Sequence, residues 1–137
     1  MQLTPLIVFH AGTALAALAI GPVVLWSRMG RLRRPRLHRL LGYTWVALIL
    51  VAALSSLFIR DFRLPNVAGY TPIHLLVPVT LGSLCVAFAA LARGHVVLHR
   101  RTMQLLYLSA CVVTGALTLL PGRAMHDLVL RQWLGLV

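Results

Sequence analysis

Residues 4–26 read TPLIVFHAGTALAALAIGPVVLW, an apolar run with one histidine and no charge. About 20 mainly apolar residues cross the hydrocarbon core of a bilayer as a helix, so this stretch is long enough to span one. It does not read as a cleavable leader. No positive residue precedes it, it exceeds an h-region, and its Arg cluster follows rather than leads. Three more stretches qualify as spans on the same ground, about 40–59, 71–92 and 103–120.

The composition around these runs agrees. The chain has 137 residues, 60% of them hydrophobic and 11% charged, where a soluble domain carries about a quarter charged. Residues 1–137 therefore read as a single transmembrane domain. All 13 cations are Arg, opposed by Asp61 and Asp127 only, for a net charge of +11. Nucleic-acid binding would need that charge gathered on one folded face; here it sits in short clusters between apolar runs. Cys85 and Cys111 both fall inside apolar segments and read as buried thiols, not as a disulfide framework.

The charges also set a topology. Arg28, Arg31, Arg33, Arg34, Arg36 and Arg39 follow the first span, and Arg93, Arg100 and Arg101 follow the third. Arg60, Arg63, Arg123 and Arg131 lie on the other side with both acids. The positive-inside rule puts the first and third connections in the cytoplasm and both termini outside, as a multi-pass protein of a bacterial inner membrane. Pro35, Pro65 and Pro72 punctuate the connections, while Pro22 and Pro78 within spans predict kinks whose freed carbonyls need a neighbour. Trp26, Tyr43, Trp45 and Tyr70 are expected at the interfaces. The segment from Met125 to Val137, with Trp133 and Leu134 beside Arg131, reads as an amphipathic tail on the outer surface.

A repeat organises the histidines. His10 opens the first span and His74 the third; His38-Arg39 leads into the second with Tyr43 following, and His99-Arg100 leads into the fourth with Tyr107 following. The chain is thus all-α, an integral membrane up-down-up-down four-helix bundle built from two repeated hairpins. Spans one and three lie diagonally, as do two and four. His10 then faces His74 near the outer side, and His38 faces His99 near the inner side. Below His10, steps of three and four residues reach Thr13, Ala14, Ala17 and Gly21, a small-residue face suited to close packing or to a flat cofactor. Leu41, Gly42 and Trp45 lie below His38.

Ionisable groups inside membranes are costly and mark function when they face the bundle interior. Paired imidazoles with few other donors suit the axial ligation of a haem iron, making His10, His74, His38 and His99 the candidate ligands. Arg39 and Arg100 are placed to hold propionates, or serve only as positive anchors. Zinc is poorly served, because neither cysteine lies near a histidine pair. Copper at the outer face would draw on His10, His74 and Met125 or His126. His95 and His126 otherwise read as surface histidines. The chain shows no nucleophile–base pair, phosphate-cradling glycine loop or paired carboxylates, which disfavours hydrolytic chemistry.

The stretches Phe9-His10-Ala11-Gly12, His38-Arg39-Leu40-Leu41-Gly42-Tyr43 and His99-Arg100-Arg101-Thr102-Met103 resemble the bacterial four-span family known as domain of unknown function 2306. The resemblance covers Leu6 to Arg123 and implies an inner-membrane protein without an assigned activity. The layout is also similar to the cytochrome b-561 class of di-haem membrane proteins, which implies a ligand role for the same four histidines. This chain is shorter than those proteins, and its inner pair lies against the Arg-rich turns. The expectation is a small b-type cytochrome with one or two haems, transferring electrons across the membrane or to and from quinone. The other reading is a cofactor-free accessory subunit or small transporter, its histidines hydrogen-bonding or relaying protons. Expected partners are lipid, a quinone or a redox protein, and a second copy of the chain.

Overall fold

The computed structural model describes residues 4–28, 34–60, 67–119, 126 and 135. Its elements are α1 (Pro5–Trp26), α2 (Pro35–Ser56), a 3-10 turn (Pro72–Leu75), α3 (Leu76–Ala92), α4 (Val96–Tyr107), a π-helical segment (Leu108–Val113) and α5 (Thr114–Thr118). The last three run on as one rod, 96–118. The chain is an all-helical membrane bundle of four rods. α1, α2 and the unit Pro72–Ala92 are each long and apolar enough to cross a bilayer. The fourth rod has the length, but its first turns carry His99, Arg100 and Arg101. The tail expected from Met125 onward lies almost wholly outside the described residues; within it, His126 is half-buried.

Both hairpins start with the same local chemistry. Thr4-Pro5 and Thr71-Pro72 each place Thr at the N-cap and Pro at the first helical position, where its missing N–H costs nothing. The Thr4 hydroxyl oxygen accepts from the Ile7 N–H at 3.4 Å, a donor the helix start leaves over. The turns differ. The segment after α1 is closed by the Arg34 N–H donating to Ser27 O at 3.0 Å. The α3–α4 turn needs only Arg93, Gly94 and His95, with Gly94 at φ +76°, a conformation open to glycine at no steric cost.

α1 packs along α2 and α3 along α4, and the hairpins meet through α2 with α3 and α1 with the fourth rod. This ring of neighbours leaves α1 diagonal to α3. Large apolar side chains such as Val8, Phe9, Leu54, Phe58, Val86 and Val112 point outward, as lipid requires. In lipid the hydrophobic effect does not drive helices together, so small residues that permit close approach carry the contact. Ala17 is fully buried, and a Cβ on Gly21 would overlap the Tyr107 ring and come within 3.2 Å of Trp45 Nε1.

Two expectations change here. Trp45 is not interfacial: it is 3% exposed and its indole N–H donates to Ala17 O at 3.0 Å. Its place on the face below His38 outweighs the general preference of Trp for interfaces. Cys85 is exposed on α3, and only Cys111 is buried. Pro78, the third residue of α3, lies within the unit Pro72–Ala92, one turn after the 3-10 segment gives way to α-helix. Pro22 does lie deep within α1. The carbonyl it frees, four residues earlier, is Leu18 O, and the Tyr107 hydroxyl donates to it at 3.1 Å.

Candidate functional site

His38 and His99 occupy one station twice, each the fourth residue of its helix. His38 Nδ1–H donates to Val24 O at 3.0 Å, with the Ser27 hydroxyl 3.2 Å away. His99 Nδ1–H donates to Ala87 O at 2.9 Å. In both hairpins a first-turn imidazole therefore latches onto a carbonyl near the end of the preceding helix. A carbonyl only accepts, so Nδ1 carries the proton and Nε2 keeps its lone pair. Among the described residues Nε2 of neither histidine makes a hydrogen bond. Arg39 and Arg100, the next residues, are exposed at the same end of the bundle.

His10 has the same tautomer for a different reason. Ser55 spends its hydroxyl proton on Ala52 O at 3.0 Å, so its oxygen accepts from His10 Nδ1–H, also at 3.0 Å. Nε2 again keeps a free lone pair. His74 differs. Its Nδ1 accepts the Thr71 backbone N–H at 3.2 Å, completing a capping box. Its Nε2–H donates to Ser56 O at 3.1 Å and Ile59 O at 3.0 Å. Ser56 is the last residue of α2 and its carbonyl also accepts the Ile59 N–H at 3.0 Å, while Ile59 lies three residues beyond the helix. Tyr70 stacks edge-on against His74 with ring centroids 5.2 Å apart, and the Arg60 guanidinium lies 5.6 Å over the Tyr70 ring. His74 thus ties α2 to α3.

The sequence pairing places His10 and His74 together correctly: both line one cavity of about 270 Å³ inside the end of the bundle where α1 begins. Its walls come from all four rods. Ala11 and Ala14 of α1, Ala52 and Ala53 of α2, Thr80 of α3, and Cys111 and Gly115 of the fourth rod leave the room. The small face of α1 accordingly does two things: Ala14 opens onto the cavity, while Ala17 and Gly21 close against Trp45 and Tyr107. The π-helical segment lies beside it, with the Thr114 hydroxyl donating to Ser109 O at 2.8 Å, and such bulges recur at functional sites. Among the described residues no three His, Cys, Asp or Glu side chains gather to hold a metal ion. His95 is exposed in the Gly94 turn.

Ser27, Ser55, Thr71 and Thr80 were not singled out from the sequence. The Thr-Pro pairs that open both hairpins would have flagged Thr71; a serine beside a histidine across two helices leaves no local signal.

The family model of predicted membrane proteins designated DUF2306 matches residues 7–136, and the chain belongs to that family. Comparison with curated proteins and with solved structures found no match.

Proposed function

We propose that this DUF2306 membrane protein is a small electron-transferring cytochrome that holds a b-type haem through His38 and His99. The observation that carries the reading is the repeated latch: both imidazoles are fixed by Nδ1–H on a backbone carbonyl and keep the Nε2 lone pair free. A carbonyl that accepts the other ring N–H in this way orients a metal-ligating histidine and raises its basicity. Exposed Arg39 and Arg100 beside the pair match carboxylate-bearing haem edges by charge-assisted hydrogen bonds. By the positive-inside rule this end faces the cytoplasm of a bacterial inner membrane. When bound, the haem would supply one-electron chemistry; the protein would supply the ligands and their orientation.

His10 and His74 fit a second haem less well. His10 has a free Nε2 among the described residues, but both nitrogens of His74 are engaged, and its ligation through Nε2 would strip two hydrogen bonds from the α2–α3 junction.

The same engagement of His74 supports a second reading, a cofactor-free bundle in which histidines serve as hydrogen-bonding ties. The optical spectrum of protein purified from haem-supplied cells separates the two. The cytochrome reading expects a Soret band that shifts on dithionite reduction; the second expects a colourless protein.

A further inference from the structure

We propose that the cavity beside His10 is a binding site for a quinol, the lipid-soluble hydroquinone class, with His10 Nε2 accepting a hydrogen bond from one ring hydroxyl. As the source of electrons this rests on the cytochrome reading, but the site stands on its own geometry. Three observations assemble it. The cavity is lined mainly by aliphatic side chains, including Ala11, Ala14, Ala52 and Ala53, so it takes an apolar ring. At about 270 Å³ it lies just below the usual range of small-molecule sites, about 300–1,000 Å³. Leu15 lines it and is 52% exposed, so a single side chain separates the cavity from a molecule dissolved in the bilayer.

The polar groups select among apolar molecules. His10 Nδ1–H is spent on Ser55, whose own proton is spent on Ala52 O, so Nε2 has only a lone pair to offer and requires a donor. Thr80 is 4% exposed and lines the same cavity, where its hydroxyl is the side chain's one polar group. A hydroquinone carries two oxygens across one flat ring: one donates to His10, and the other pairs with Thr80. His74 lines the cavity but contributes no free nitrogen.

The test is calorimetric titration of decylubiquinol into the detergent-solubilised protein, with His10→Ala, Thr80→Val, Ala14→Leu and Gly82→Ala compared. Gly82 has no heavy atom within 4 Å of a Cβ and serves as control. Saturable binding is expected in the wild type and Gly82→Ala. It should weaken roughly tenfold in His10→Ala and a few-fold in Thr80→Val, the scale of one hydrogen bond. Binding should be lost in Ala14→Leu, which fills the cavity while leaving both polar groups in place. Absence of saturable binding to the wild type, or equal binding by His10→Ala and Ala14→Leu at unchanged helicity, overturns the proposal. So does a haem Soret band that disappears in His10→Ala, since the cavity then holds haem. A colourless protein that binds decylubiquinol with these dependences refutes the cytochrome reading and upholds the site.

Discussion

The hydroxyl of Tyr107 donates to the carbonyl of Leu18 at 3.1 Å, and Leu18 is the residue whose helical N–H partner is replaced by Pro22. In a bilayer a released carbonyl has no water to turn to, so a proline inside a span is tolerated when a neighbouring rod re-satisfies it. Here the fourth rod does so. One bond thereby couples a proline in the first hairpin to a tyrosine in the second.

Tyr107→Phe is therefore expected to destabilise the bundle by about 0.6 kcal/mol, and by no more than about 1.7 kcal/mol, the range of interhelical hydrogen bonds in membranes. Pro22→Ala restores an N–H to Leu18 O. In that background the cost of Tyr107→Phe should shrink, and a double-mutant cycle on detergent unfolding measures the coupling. Equal costs in both backgrounds would show that the bond does not answer the proline.

Two glycines of α1 should respond oppositely to alanine. A Cβ at Gly12 meets nothing within 4 Å, whereas one at Gly21 overlaps the Tyr107 ring. Gly12→Ala should be neutral or slightly stabilising through helix propensity. Gly21→Ala should cost about 1–3 kcal/mol, the usual penalty of overpacking. Thermal melting of the two variants in one detergent checks the contrast.

His74→Ala should act locally. It removes the donor to Ser56 O and Ile59 O and the acceptor of the Thr71 N–H, so amide exchange should accelerate at the end of α2 and the start of α3. The latches of His38 and His99, at the other end of the bundle, should keep their protection. A uniform loss of protection would show that His74 holds the whole bundle.

The bundle was legible because its signals are long-range averages: four apolar runs, two Arg-rich connections and a doubled His-Arg station. The diagonal pairing of rods followed from connectivity alone, and it brought His10 and His74 to one cavity. What escaped the sequence was which nitrogen of each histidine is free. That depends on single partners, such as Ser55 directing its proton to Ala52 O, and periodicity carries no record of them. Trp45 was misplaced because an aromatic near a span end satisfies the interfacial pattern equally well when its N–H reaches a carbonyl across the helix pair. The π-helical segment Leu108–Val113 likewise has no sequence signature in this chain.

The central claim is that His38 and His99 hold haem, and the most direct measurement is the reduced-minus-oxidised difference spectrum of the purified protein and three variants. The account predicts b-type Soret and α bands in the wild type and in His74→Ala, and their loss in His38→Ala and in His99→Ala at unchanged helicity. A protein without haem absorbance after expression with ample haem, or bands that survive both His38→Ala and His99→Ala, would contradict it.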